Sequence, residues 1–269
     1  MRYAVPYIVT NYGINHTGGQ PVSAVFHAFR VFEEVARRQP VGVSAAAAAL
    51  EMSKSTTQRA LRALAEEGWI EPAAGDSSKW VITAKAFTLG SMHAGLGSAR
   101  ELARGPMREL VRTCGETVHL SLLDGRHLVG IDIVESQAPV RVHAKIGDRF
   151  PLHSTASGIA ILAALSPDSA RALLEGAPRL EQLTEKTSTA LPEILAQVER
   201  ARVNGYAVTA GTRHEEISAI GVALLDRDGA PFASMSISAP SSRLPQSLHA
   251  ELGQRLRAAA EECSGIYNR

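Results

Sequence analysis

Residues 43–70, VSAAAAALEMSKSTTQRALRALAEEGWI, constrain this chain more than any other stretch, because they leave room only for two short helices and a tight turn. Residues 45–50 are a run of small helix formers with Ser44 placed to cap them, and Glu51-Met52 is the turn. Ser53 is set to cap a second helix over residues 54–67, with Gly68 just past its end. Inside that helix Thr57, Ala60, Leu61, Leu64 and Ala65 recur at the spacing of one buried stripe. Ser55, Gln58, Arg59 and Arg62 fall on the opposite face. Short hydroxyls, an amide and guanidiniums on an exposed helix are the groups that bond phosphates and reach base edges in a major groove. The pattern predicts a helix-turn-helix with residues 54–67 as the recognition helix; a helical hairpin with a solvated polar face is the alternative these residues leave open.

The flanks favour the first reading. Ser23–Arg38 predicts an amphipathic helix with Val25, Phe26, Phe29, Val31, Phe32 and Val35 on its apolar side. After the second helix come Trp69-Ile70-Glu71, a polar turn over residues 74–78, and a strand from Lys79 to Ile82, which together read as a β-wing. Lys79 stands where it could meet a phosphate, and equally where a solvated strand lysine would stand. With 28 basic against 27 acidic residues the net charge is only +1, which excludes a generally basic chain that coats nucleic acid. Any DNA contact must be a local patch, and Lys54, Arg59 and Arg62 supply one.

At 269 residues, 45% hydrophobic and 20% charged, the chain has room for a second domain. Its two cysteines, Cys114 and Cys263, show no metal spacing and no disulfide framework, which fits a reducing cytoplasm. No stretch approaches the roughly 18 apolar residues of a membrane span. Residues 1–22 lack the apolar core of a signal peptide and are expected to form a mobile tail. The winged domain is expected over residues 23–83 and a pliable linker helix over 84–104, its stripe of Phe87, Leu89, Met92, Leu96 and Leu102 interrupted by Gly90, Gly95 and Gly97. Gly105-Pro106 then reads as a fresh helix start, opening a domain over residues 105–269.

In that domain the period changes from 3.6 to 2. Strands are expected at residues 117–123, 127–134 and 140–144 as a meander turning on Asp124-Gly125, then at 205–208, 217–225 and 231–238. Helices are expected at 154–165, 167–174, 191–204 and 248–267. This is an α+β fold, an antiparallel sheet covered by helices, with room for a small-ligand pocket between them. Ser154-Thr155-Ala156-Ser157-Gly158 opens a helix, so Ser154 and Thr155 are expected to cap it, and its free N–H groups favour a carboxylate. Ser236 and Ser238 share one face of their strand. His119 and His153 read as core or rim histidines bonded to backbone. There is no G-x-S-x-G elbow, phosphate loop or H-E-x-x-H, so no catalytic residue, metal ligand or cofactor is assigned.

These segments, taken in order, resemble the IclR family of bacterial transcriptional regulators. SKSTTQRALRALAEEGWIE, TAKAFTLG, GETVHLSLLDGRHLVGIDIVES, GDRFPLHSTASGIAILA, RVNGYAVT and ALLDRDGAPFASMSISAP carry the likeness. It implies an N-terminal winged helix-turn-helix, a linker helix and a C-terminal GAF-like effector domain. It further implies a cytoplasmic homodimer or homotetramer on a pseudo-palindromic double-stranded operator, tuned by a small organic acid. Repression of a catabolic operon is the function it implies, activation by the same machinery is the open alternative, and a small-molecule hydrolase or a purely architectural protein is disfavoured. Family recognition-helix positions fall on Ser53, Lys54, Ser55, Thr56, Gln58 and Arg59. Effector positions of relatives that bind small α-keto acids fall on Thr155, Ala156, Ser157, Gly158, Ser236 and Ser238, with Val142, Phe150 and Ile217 as an apolar side. Thr209 stands where those relatives have an acid, Ala219 where they have a cysteine, and Glu51 where the family turn holds glycine. These departures point away from a keto acid and toward a carboxylate with a larger apolar body, aromatic acids included.

Overall fold

The computed structural model of the protein describes residues 23–91, 96–177 and 179–267. The tail expected over residues 1–22, and the Met92 and Gly95 positions of the linker stripe, lie outside these residues. The chain divides into two compact units between residues 92 and 93.

The first unit runs α1 (Ser23–Arg38), β1 (Val41–Gly42), α2 (Val43–Leu50), α3 (Lys54–Glu66), β2 (Ile70–Ala73), β3 (Asp76–Ile82) and α4 (Ala84–Ser91). Its core joins Val31 and Val35 of α1, Leu50 of α2, Ala60, Leu61 and Leu64 of α3, and Ile70 of the wing, which is the predicted stripe closing on its neighbours. Phe32 meets Trp69 edge-on at 5.3 Å. Thr83 then ties the end of the wing back to α3, its Oγ1 donating to Gly68 O at 2.7 Å.

Three local expectations change here. Helix α2 starts at Val43 behind Gly42, so Ser44 lies inside the helix and does not cap it. The wing hairpin is tighter than its polar composition suggests, turning at Ala74-Gly75. Asp76, Ser77 and Ser78 join β3, with Asp76 opposite Ala73 in the β2–β3 ladder and its carboxylate taking the Ser78 amide at 3.1 Å. A third strand, β1, which the sequence did not announce, pairs Val41 with Trp80 and Gly42 with Lys79. Glu51 sits in the left-handed region (φ 55°, ψ 37°), the conformation that favours glycine at a helix C-terminus.

The second unit runs α5 (Leu96–Cys114), β4 (Thr117–Asp124), β5 (His127–Val134), β6 (Arg149–Pro151), α6 (Ala156–Ala164), α7 (Pro167–Glu175), α8 (Leu191–Asn204), β7 (Ala207–Ala210), β8 (Ile217–Leu225), β9 (Pro231–Pro240) and α9 (Gln246–Tyr267). Its strands form one antiparallel sheet in the order β6-β5-β4-β9-β8-β7.

The two faces of that sheet differ in kind. Val118, Leu120, Ile220, Val222, Leu224, Met235 and Ile237 point to one face and pack under α5 and α9, which contribute Met107, Leu110, Leu252, Leu256 and Cys263. The register puts Thr117, His119 and Ser121 of β4, Ser234, Ser236 and Ser238 of β9, Ala219 and Gly221 of β8, and Thr209 of β7 on the other face. Helix α6 lies on this small, polar face, buried all round from Ala156 to Leu162. Gly221 makes the approach possible: a Cβ there would stand 2.5 Å from the Ala156 carbonyl carbon.

Two expected elements of this unit take another form. Gly105-Pro106 does not restart a helix, because α5 runs through both residues. Its buried side, Ala99, Ala103, Met107 and Leu110, is continuous across the proline, and that burial outweighs the roughly 3 kcal/mol an interior proline costs. Residues 140–144 are not a strand. They keep the alternation, with Val142 and Ala144 half-buried and Arg141 and His143 exposed, but form no ladder. The edge of β5 is filled by β6, which pairs Phe150 with Leu128. Glu135 holds the intervening loop by an ion pair to Arg141 at 2.9 Å and a hydrogen bond to His143 Nδ1 at 2.8 Å.

Candidate functional site

The first candidate surface is α3. Ser53 caps it, its Oγ accepting the Thr56 amide at 3.1 Å and bonding Ser55 Oγ at 3.0 Å and Thr56 Oγ1 at 2.9 Å. The three predicted hydroxyls therefore cluster at the helix start, where unpaired amides and the positive end of the helix dipole favour a phosphate. Lys54, Ser55, Gln58, Arg59 and Arg62 are exposed, while Thr56 is half-buried. Their spacing aligns Ser55, Gln58, Arg59 and Arg62 along one face. Among the described residues Lys54, Arg59 and Arg62 have no ion-pair partner, so their charge is available to a polyanion. Lys79 lies on β3 and is paired with Asp76 at 3.2 Å; breaking that exposed pair costs little.

The second is a cavity of about 80 Å³ between α6 and the polar face of the sheet, large enough for a small metabolite rather than a lone water. Of the residues singled out in the sequence, Val142, Phe150, Thr155, Ala156, Ser157, Thr209, Ile217, Ala219, Ser236 and Ser238 line it. Gly158 does not. Its amide is taken by the capping Thr155 Oγ1 at 3.1 Å, and a Cβ on it would stand 2.2 Å from Leu152 O, so this glycine serves close packing. Ser154 does not cap the helix as expected: its hydroxyl is buried and without a partner.

The cavity also takes in His119, Ser121, Ala144, Ser154, Thr212, Arg213 and His214, which sequence reasoning missed as lining residues. His119 lies opposite Ser236 in the β4–β9 ladder, a pairing the sequence does not display. Its Nε2 is buried without a partner, contrary to the backbone bond expected, whereas His153 Nε2 does bond Glu181 O at 2.9 Å. Burial, helped by the Arg213 charge and opposed by Glu135, pushes the His119 imidazole down to about 4. Arg213 lies 4.4 Å over the Phe150 ring, and burial lowers its pKa against the opposing charge of Asp148. Among the described residues no group of three or more His, Cys, Asp or Glu is placed to hold a metal.

Comparison with known proteins gives a consistent answer for both units. Residues 97–265 match the model described as bacterial transcriptional regulator IclR C-terminal, and residues 24–73 match the IclR helix-turn-helix domain. The chain is 32% identical over 243 residues to the HTH-type transcriptional regulator KdgR of Escherichia coli K12, covering 90% of this chain and 92% of that protein. It is 30% identical over 217 residues to the HTH-type transcriptional repressor AllR of the same organism, covering 80% and 79%. The crystal structure of the Thermotoga maritima IclR superposes with a TM-score of 0.74 at 28% identity, covering 93% of this chain and all of that one.

Proposed function

The chain belongs to the IclR family of bacterial transcriptional regulators, and from that premise we propose that it represses a catabolic operon and that a small organic acid in the cavity sets its hold on the operator. Membership makes it a DNA-binding transcriptional regulator and not an enzyme. The sign of regulation, the operon and the acid are what is proposed; that AllR is named a repressor supports the sign.

The observation that carries this reading is the cavity itself. It holds buried polar groups with no protein partner, in a chain whose other unit exposes an unpaired basic helix. Ser53, Lys54, Ser55, Thr56, Gln58, Arg59, Arg62 and Lys79 are assigned to operator DNA. The acid lies between the start of α6 and Ser236 and Ser238, with Val142, Phe150 and Ile217 along its apolar part. Residues 84–104 join the two halves and carry the coupling between them, about 1–3 kcal/mol in size.

A second copy of the chain completes the DNA-bound form. Helix α1 leaves Val25, Phe26 and Phe29 exposed by 55%, 46% and 63%, an apolar patch of the kind that serves as a protein–protein contact. A homodimer, or a tetramer built from two, covers it and matches a pseudo-palindromic operator with half-sites about one helical turn or a multiple apart. The cytoplasm is the proposed compartment; among the described residues no helix is long and apolar enough to cross a membrane.

The test is titration of DNA flanking this chain's own gene, with and without a panel of aromatic and aliphatic acids, beside sedimentation of the free protein. An acid that releases the DNA, and a species larger than 28.6 kDa, are expected. DNA binding that no acid alters would overturn the effector half, and a monomer at micromolar concentration would overturn the assembly.

A further inference from the structure

Among the described residues the cavity is lined by one strong cation and no acid. Its titratable lining residues are His119, Arg213 and His214. His119 is pushed down to about 4, and burial together with the Arg213 charge also lowers His214, so both rings are predominantly neutral at pH 7. Of the described lining residues Arg213 alone brings a permanent charge. Among the described residues no carboxylate lies within ion-pair distance of its guanidinium, and no oxygen accepts a hydrogen bond from it.

The guanidinium is held by its loop rather than by a partner. Gly211, at φ +72°, turns the chain after β7, and its amide donates to Ile217 O at 2.8 Å. Thr184 Oγ1 donates to Gly211 O at 2.6 Å, Thr187 Oγ1 to Thr212 O at 2.5 Å, and Thr212 Oγ1 to Ser154 O at 2.8 Å. The Phe150 ring, its centroid 4.4 Å from the guanidinium carbon, offers no hydrogen-bond acceptor, so the five N–H donors of Arg213 remain for a planar anion. Elsewhere in the cavity stand two neutral groups with unused hydrogen-bonding capacity. Ser154 is 1% exposed and His119 9% exposed, and among the described residues neither Ser154 Oγ nor His119 Nε2 has a partner. A hydroxyl both gives and takes, so it satisfies the imidazole in either tautomer.

We propose that Arg213 sets the charge class of the effector: the cavity takes a small monocarboxylate whose anionic end meets Arg213, whose flat apolar body lies along Phe150, and whose hydroxyl faces His119 and Ser154. This deepens the effector reading above and rests on it. A dianion would leave its second charge unmatched among neutral groups, and a neutral analogue would leave Arg213 desolvated without a counter-charge.

The experiment uses the full-length protein and calorimetry with benzoate, 4-hydroxybenzoate, 4-hydroxybenzyl alcohol and terephthalate. The hydroxylated monoanion is expected to bind tightest, and the alcohol and the dianion at least about 10-fold more weakly. Arg213→Gln is expected to weaken the monoanion about 10- to 100-fold and remove its preference over the alcohol, with Arg213→Lys recovering part of the loss. Ala219→Leu, which fills the cavity floor, serves as the control for location. Unchanged monoanion affinity in Arg213→Gln with loss in Ala219→Leu overturns the role of Arg213 and leaves the cavity as the effector site. Unchanged affinity in both variants overturns the cavity reading as well. Preference for the dianion or the alcohol, or failure of both monoanions to bind at about 10 mM, overturns the charge class.

Discussion

The outer face of α3 and the floor of the cavity are both built of serines with basic or imidazole groups among them, yet they stand on opposite sides of an energetic divide. On α3 the polar groups are in water: Gln58, Arg59 and Arg62 are exposed, and an unmet hydrogen bond costs them almost nothing. In the cavity Ser154 and His119 are buried with unpaired atoms, and each such atom costs about 1–3 kcal/mol until something pairs it. The recognition face is thus free to be generic, its affinity coming from charge and its register from a few side chains. The cavity floor carries a standing penalty that a ligand relieves. A surface of the first kind needs one helix; a surface of the second kind needs a sheet, a covering helix and a loop in register.

The sharpest way to break that contrast is to remove the closeness that makes the cavity. Gly221→Val would drive a side chain into the Ala156 backbone, which has no rotamer to yield. We expect a loss of at least about 3 kcal/mol in urea unfolding of the second unit. A wild-type unfolding curve would show that α6 does not need this contact.

Acid is the next probe. The His119 pKa is about 4 in the fold against 6.5 unfolded, so between these values the unfolded chain binds more protons. The stability that depends on a neutral His119 is therefore complete above pH 6.5 and lost as pH falls toward 4, by no more than about 3 kcal/mol. His127 and His214 are lowered too and add in the same direction, whereas Asp76, Glu109 and Glu135, also lowered, act only below the ordinary carboxylate range. His119→Gln should flatten the slope between pH 6.5 and 4 in thermal unfolding; an unchanged slope would place the titration elsewhere.

On the α3 side, Arg59→Ala should weaken operator binding by about 1–3 kcal/mol with circular dichroism unchanged, since its side chain is exposed and holds nothing in the fold. Undiminished affinity in a gel-shift titration would remove α3 from the operator. The smallest effect compares the two serine environments directly. Ser154→Ala should stabilise the ligand-free protein by about 1 kcal/mol, because it removes a buried hydroxyl with no partner. Ser55→Ala, on the exposed face, should stay within about 0.5 kcal/mol. Equal shifts for the two substitutions would mean that the cavity hydroxyl bears no penalty.

What the sequence determined by itself was whatever is written in local period and local chemistry. The spacing of Thr57, Ala60, Leu61 and Leu64 reads as the buried side of α3, and the alternation of Met235 and Ile237 with Ser236 and Ser238 reads as a two-faced strand, because helices and strands repeat their side-chain directions every 3.6 and 2 residues. Both are found as read, and family motifs supplied ten lining residues of the cavity. Tertiary structure decided the rest. Residues 140–144 alternate like a strand, but whether a ladder forms depends on which segment occupies the edge of β5, and β6 does. Pro106 looks like a helix start until α5 has a sheet to pack on. His119 comes beside Ser236, and Arg213 over Phe150, only through strand register and a pinned loop, which join residues 117 and 63 positions apart. No periodicity encodes such a meeting, since it is fixed by the burial free energy of the whole unit rather than by the neighbours of either residue.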